Sequence, residues 1–183
     1  MLEKPNFYSV IIGTELLNGR RKDAHFAFLN QQLLSRGWEQ KASFVINDNT
    51  NLMENIFNLI KSDPNSVMFC FGGIGATPDD YTRVVAGKVF RDGKMEFHEE
   101  AKNRILNQFG TEAYPHRINM AYLPINAKLL KNVVNNVAGF YLEDRFFFTP
   151  GFPSMSQAMV VEALDKLYPK SNIEKYRRVM TIN

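Results

Sequence analysis

The residues with the strongest chemical signature are Gly72-Gly73-Ile74-Gly75-Ala76-Thr77-Pro78-Asp79-Asp80-Tyr81-Thr82, which follow the apolar run Ser66-Val67-Met68-Phe69-Cys70-Phe71. Glycines behind a buried strand let the backbone turn sharply and bring several N–H groups close to a ligand, which suits phosphate oxygens. Thr77-Pro78-Asp79-Asp80 also has the composition of a helix start: Thr as N-cap, Pro at the first helical position, acids at the positive end of the dipole. Capping explains Thr77, Pro78 and one aspartate. It requires neither the second aspartate nor three glycines within four positions. Two acids beside a phosphate cradle repel phosphate, and a divalent cation removes that conflict, since Mg²⁺-type ions take one or two carboxylates plus phosphate oxygens and water. The expectation is a metal-assisted nucleotide or phosphate site.

Two further loops carry candidates. Gly13-Thr14-Glu15-Leu16-Leu17-Asn18-Gly19-Arg20-Arg21-Lys22 offers a turn at Gly13, an acid at Glu15 and three basic residues, Arg20, Arg21 and Lys22, whose first reading is a solvated surface and whose second is contact with an anionic ligand. Thr149-Pro150-Gly151-Phe152-Pro153-Ser154 reads as a stiff turn with a Ser154 cap, or as another wall of the same cleft. Asp48 follows a predicted strand and either points into the crevice or belongs to an ordinary turn. His25, His98 and His116 lack the spacing of a zinc site. Cys70, the one cysteine, reads as core. No Gly-x-Ser-x-Gly elbow, Walker loop or Gly-x-Gly-x-x-Gly follows a strand.

These loops need elements to position them. Strands are expected at 7–12, 42–46 and 66–71, with helices from Asp23 to Gly37, over Leu52–Ile60, from Thr77 to Val89 and over His98–Phe109. Residues 91–124 read as polar and helical. Short strands at 127–130, 140–143 and 146–149 follow, the last two joined by a tight turn at Asp144-Arg145, and a helix spans 154–167. Alternating β and α with strands apolar on both faces predicts a mostly parallel sheet covered by helices, and ligands in such sheets bind beyond the C-terminal strand ends. The 183 residues are read as one domain over 1–168 with a polar, basic tail over 169–183. With 45% hydrophobic residues, 15 of them Phe, the chain has material for a packed core. A net charge of +3 with scattered basic residues leaves no nucleic-acid footprint. No apolar run approaches the about 20 residues of a spanning helix, and the N-terminus is unlike a secretory signal. A cytoplasmic protein without nucleic-acid or membrane partners is expected.

Taken in order, the loops resemble the molybdopterin-binding domain family with the MoaB/Mog-like fold, and most closely its branch at the N-terminus of the competence/damage-inducible protein CinA. The resemblance runs from about Tyr8 to Leu167. It rests on Ile12-Gly13-Thr14-Glu15-Leu16-Leu17-x-Gly19 and Gly72-Gly73-Ile74-Gly75-x-Thr77-x-Asp79-Asp80-x-Thr82. His98-Glu99-Glu100-Ala101, Asn119-Met120-Ala121, Leu123-Pro124, Asn132, Gly139-Phe140 and Pro150-Gly151-Phe152-Pro153 extend it.

The resemblance implies a three-layer α/β/α fold with a small β-hairpin element, assembled as a dimer or trimer. It implies a pterin or nucleotide held by Gly13, Thr14, Glu15, Gly72, Gly73, Gly75, Thr77, Thr82, Pro150 and Gly151. Asp48 and Asp80 take catalytic roles, with a divalent metal (Mg, Mn or Co) on Asp79 and Asp80. The implied reaction is hydrolysis of an ADP-ribose- or FAD-type pyrophosphate. A non-catalytic pterin- or nucleotide-binding module and adenylyl transfer onto molybdopterin are the alternatives. The amidase domain that CinA proteins often carry has no room here. Three departures stand out: Asn135-Asn136-Val137-Ala138 where relatives usually read Gly-Thr-Ala-Pro, Met155 where Glu is common, and His25 where Asn is usual. The first two remove a small flexible pair and a carboxylate from the cleft rim.

Overall fold

The computed structural model describes residues 2–170, so residues 171–183 of the expected tail lie outside the described chain. In chain order the elements are β1 (Asn6–Ile12), α1 (Thr14–Leu17), α2 (His25–Ser35), β2 (Gln40–Ile46), α3 (Thr50–Ser62), β3 (Ser66–Phe71) and α4 (Thr82–Arg91). Then come β4 (Met95–Phe97), α5 (Glu99–Phe109), two 3₁₀ turns (Gly110–Ala113 and Arg117–Ala121), β5 (Tyr122–Pro124), β6 (Lys128–Leu130), β7 (Gly139–Leu142), β8 (Phe146–Thr149) and α6 (Pro153–Leu167).

The main sheet has the order β2-β1-β3-β8-β7-β6. Pairing is parallel from β2 through β8, and antiparallel for β8–β7 and β7–β6. Every residue of β3 is buried because helices cover both faces. Alternate side chains divide the core. Tyr8, Val10, Met68, Cys70 and Phe148 pack with Met53, Phe57, Val85 and Phe90 of α3 and α4 on one face. Phe7, Ile11, Phe69 and Phe147 pack with Leu29, Leu33, Val160 and Leu164 of α2 and α6 on the other. That is the expected three-layer arrangement. Stacked rings tie the middle strands: Phe69–Phe147 at 4.7 Å and Phe140–Phe148 at 4.6 Å between centroids. Such pairs add about 0.5–1.5 kcal/mol each beyond burial.

At the far end of the sheet from the glycine loops, Phe7 meets the edge of Tyr168 at 5.4 Å, and Trp38 Nε1 donates to the Tyr168 carbonyl at 3.1 Å. Leu2 and Tyr168 line one surface hollow with Asp144 and Arg145.

Several boundaries differ from the sequence expectation. The fourth helix begins at Thr82, not Thr77. The Thr77 amide and hydroxyl both donate to Asp80 Oδ2, at 2.8 and 2.5 Å, so residues 77–80 close on themselves as a turn. Ser154 does not cap α6, which starts at Pro153 behind Phe152. The Gly13–Lys22 loop contains the single turn α1. Residues 91–124, expected to be helical throughout, also hold β4 and β5, which pair as a separate antiparallel ribbon. The β7–β8 turn lies one residue early: Glu143 and Asp144 have positive φ, and the Arg145 amide donates to the Leu142 carbonyl at 3.0 Å. That hairpin belongs to the main sheet. Asp23 does act at the start of α2, its two carboxylate oxygens accepting from the His25 and Phe26 amides at 2.9 and 3.0 Å.

Candidate functional site

The glycine loop owes its shape to the start of α4. Thr82, fully buried, donates its hydroxyl to the Gly72 carbonyl at 2.9 Å and its amide to the Gly73 carbonyl at 3.0 Å. Arg83, 7% exposed, donates from Nη1 to the carbonyls of Ile74 and Gly75. Four successive carbonyls are thus held by two side chains and one amide of α4. Burial lowers the Arg83 guanidinium from its usual value, and the Asp80 charge works against that. Gly72 and Gly73 have φ of +103° and +69°, and a Cβ on Gly73 would stand 2.2 Å from Thr82 Oγ1. Only glycine fits there.

Beside this loop lie the ends of β1, β2 and β8. The Gly13 amide donates to the Ile46 carbonyl at 3.0 Å and the Gly72 amide to the Thr149 carbonyl at 2.9 Å. Asp48 Oδ2 accepts from the Thr14 amide at 3.1 Å and from its hydroxyl at 2.8 Å. These loops enclose a cleft of about 610 Å³ at the C-terminal ends of the parallel strands.

Eleven of the sequence candidates line it: Gly13, Glu15, Asp48, Gly72, Gly73, Gly75, Thr77, Asp79, Asp80, Pro150 and Gly151. Thr14 and Thr82 do not. Thr14 orients Asp48, and Thr82 lies beneath the loop.

Sequence reasoning placed Asn135, Phe152 and Met155 at the cleft but missed Phe109, Arg117 and Val137. Phe109, Arg117 and Met120 reach the cleft from the end of α5 and the second 3₁₀ turn, and Asn135, Val137, Phe152 and Met155 complete the rim. The Arg117 guanidinium lies 4.7 Å from the Phe109 ring centre, and that of Arg21 5.4 Å from Phe152. Asn119-Met120-Ala121 was the one sequence signal in this stretch. Asn135 Oδ1 accepts from Asn132 Nδ2 at 2.8 Å and from the Val137 amide at 2.9 Å, and its Nδ2 lies 3.9 Å from Met155 Sδ. Both departures from the family pattern, at 135 and 155, therefore touch each other on the rim.

Behind the rim, His25 is 5% exposed and stacks on Phe71 at 4.4 Å. Its Nε2 lies 3.2 Å from the Gly151 carbonyl, and its Nδ1 lies 3.3 Å from Ser156 Oγ. The same carbonyl accepts from Arg21 Nη2 at 3.0 Å. Burial lowers the His25 pKa from its ordinary value, with the Gly151 hydrogen bond and Asp23 opposing and Arg21 reinforcing. Cys70 lies in β3, where burial pushes its thiol up, away from reactivity.

Fold and cleft together define an α/β ligand-binding domain whose backbone loops converge at the ends of parallel strands. The chain belongs to the family described as the probable molybdopterin binding domain, which matches residues 9–169. Within that family its relatives include CinA-like proteins. One from Geotalea uraniireducens is 33% identical over 161 residues, 84% of this chain and 37% of the relative. Another from Syntrophotalea carbinolica is 30% identical, over 91% of this chain and 42% of the relative. The chain thus spans less than half the length of these relatives. The fold is shared with CinA from Thermoplasma acidophilum (TM-score 0.79, 24% identity, 90% of this chain and 98% of that one). It is shared more distantly with MoaB from Thermus thermophilus (TM-score 0.54, 16% identity, 92% of each chain). Among the described residues no helix is long and apolar enough to cross a membrane.

Proposed function

We propose that the cleft binds a pterin or nucleotide through its phosphates, and that the chain hydrolyses the pyrophosphate of an ADP-ribose- or FAD-type nucleotide with a divalent ion (Mg, Mn or Co). The observation that carries this reading is one cleft that joins three glycine-bearing strand ends, at Gly13, Gly72 and Gly151, to Asp48, Asp79 and Asp80. With four carbonyls committed to α4, the Gly72 amide to Thr149 and the Thr77 amide to Asp80, the amides from Gly73 to Ala76 are the groups left for anionic oxygens. The aromatic and apolar wall of Phe109, Met120, Val137 and Phe152 suits a flat ring system.

The acids present fit a hard cation, since among the described residues the carboxylates lining the cleft are Glu15, Asp48, Asp79 and Asp80 and no His or Cys joins them. Among the described residues no three His, Cys, Asp or Glu side chains gather to hold an ion unaided. The ligand's phosphates would complete the shell, with Asp80 and Asp79 or Asp48 as the protein's share. Such an ion neutralises phosphate charge and lowers the pKa of water. The chain's own part is positional. Thr14 and Thr77 fix Asp48 and Asp80 through Oδ2 alone, leaving each Oδ1 for the ligand side. Water oxygen bonds to one phosphorus, the bridging P–O bond breaks, and the proton leaves to solvent. Assembly as a dimer or trimer in the cytoplasm belongs to the same proposal.

A second reading, binding without turnover, is favoured by Met155 and Asn135, which meet on the rim and bring no carboxylate there. The deciding experiment incubates the protein with Mg²⁺, Mn²⁺ or Co²⁺ and ADP-ribose, FAD, NAD or coenzyme A, and follows AMP release. Asp80→Asn, which keeps an acceptor for Thr77, is expected to lower that release roughly 100-fold or more. Release undiminished in the variant would remove Asp80 from the reaction. A thermal shift with a compound that yields no AMP supports the binding module. ATP consumption with molybdopterin present would instead indicate adenylyl transfer.

A further inference from the structure

The Gly151 carbonyl is the meeting point of the Arg21 guanidinium and the neutral His25 ring. Because a carbonyl oxygen only accepts, His25 Nε2 must carry the hydrogen, and neutral Nδ1 must then accept from the Ser156 hydroxyl. The ring has little water to turn to, being 5% exposed and stacked on Phe71. The groups facing it are few. Arg21 shares its carbonyl, Asp23 has both oxygens on the amides of His25 and Phe26, and Glu15 and Lys22 border the small void at the ring's edge. From α6 only Ser156 bonds to the ring, and from β3 only Phe71 stacks on it. A proton on Nδ1 therefore turns the Ser156 hydroxyl from donor to acceptor and puts a second cation beside an oxygen that Arg21 already occupies, in a place with poor solvation.

Arg21 is the partner able to yield. Its side chain is 36% exposed, lines the cleft, and already meets Glu15 at 3.6 Å and the face of Phe152, contacts that can hold it if the carbonyl bond is given up. Gly151 in turn lies against the glycine loop, so close that a Cβ on it would meet Gly72 Cα at 3.3 Å. Movement at the shared carbonyl reaches the cleft wall directly. We propose that His25 is a positioning residue whose protonation shifts Gly151 against Gly72, frees Arg21 toward the cleft, and so strengthens the hold on a diphosphate as pH falls. This inference rests on the phosphate-binding reading of the cleft. By linkage, a bound diphosphate must raise the His25 midpoint by the same factor that acid tightens binding.

The test is a ¹H–¹⁵N NMR titration of the ligand-free protein from pH 8 to the onset of acid unfolding, following the His25 ring and the Gly72 and Gly151 amides. The three should titrate together, below the ordinary histidine midpoint of about 6.5. In Arg21→Gln, with the neighbouring cation gone, the shared midpoint should move up. In His25→Gln, which keeps a donor of similar reach that does not titrate, both amides should be flat. Amides that ignore the His25 titration, amides that titrate unchanged in His25→Gln, or a ring neutral down to acid unfolding would each overturn the proposal. ADP-ribose, whose diphosphate diester keeps its charge over this range, is the probe for affinity. It should bind about tenfold tighter once His25 is protonated and show no such gain with His25→Gln. ADP-ribose that disturbs no cleft resonance at any pH overturns the phosphate-binding reading, while the ligand-free titration still decides the role of His25.

Discussion

The guanidinium of Arg83 is spent on two backbone carbonyls rather than on a carboxylate, an unusual use of a nearly buried charge. Nothing in the sequence signals it, because an arginine one position inside a helix reads as a solvated face. Arg83→Met leaves the Ile74 and Gly75 carbonyls without their donor and should cost about 1–3 kcal/mol in urea unfolding, with loss of any ligand-induced thermal shift. Arg83→Lys keeps a charged nitrogen able to donate to both carbonyls, but on a differently shaped side chain, and should fall between. Asp80 separates charge from geometry in the same way. Asp80→Ala frees the Thr77 amide and hydroxyl as well as removing the carboxylate, so it should lower the melting temperature more than Asp80→Asn does. Equal effects on stability would mean that the turn at 77–80 does not depend on that acceptor. The aspartates were legible as a pair, but not their division of labour, since capping and ligand roles make the same local pattern.

At the scale of elements, strands β1 and β3 were legible because helices cover both their faces, and a strand so enclosed must be apolar at nearly every position. Thr77 shows the limit. Thr-Pro-Asp-Asp satisfies every local rule for a helix start, yet the bond from Thr82 to Gly72, ten residues back, delays the helix by a turn and more. The ribbon of β4 and β5 was invisible because its strands have 3 residues each and lie outside the main sheet. Gly73→Ala should cost about 1–3 kcal/mol through its positive φ and the collision with Thr82. Adding Thr82→Ala should recover part of that loss, and strict additivity in chemical denaturation would argue that they do not collide. Phe148→Ala, in the middle of the stacked rings, should cost about 3–5 kcal/mol. Phe97→Ala, in an exposed cross-strand pair with Tyr122, should cost about 1 kcal/mol or less.

Across the whole molecule, acid should act in two stages. The His25 midpoint is lower folded than unfolded, so its contribution to stability is full above about pH 6.5 and is lost as pH falls from there. Burial raises the Asp63 pKa, but hydrogen bonds from Lys41, the Asn65 amide, Tyr8 and Asn6 outweigh it and hold the carboxyl well below its usual range. That contribution is full above about pH 4 and is lost only below it. Melting temperatures from pH 7.5 to 3 should therefore flatten in the upper window for His25→Gln and in the lower one for Asp63→Asn. The candidate cleft was legible to the extent that strand ends announce it. Phe109 and Arg117 were not, because only the return of the chain after α5 brings them opposite the glycine loop. The contact between Phe7 and Tyr168, with Leu2 beside it, has a consequence for engineering. Leu2 and Tyr168 line one hollow near where β1 begins, and at about 3.3 Å per residue its 7 residues put the cleft roughly 20 Å away. A short Gly-Ser bridge between those two points could therefore close the domain into a circle, with new termini opened at an exposed turn such as that between β7 and β8. Such a permuted domain, or one inserted into a carrier protein, would keep its ligand entrance facing outward.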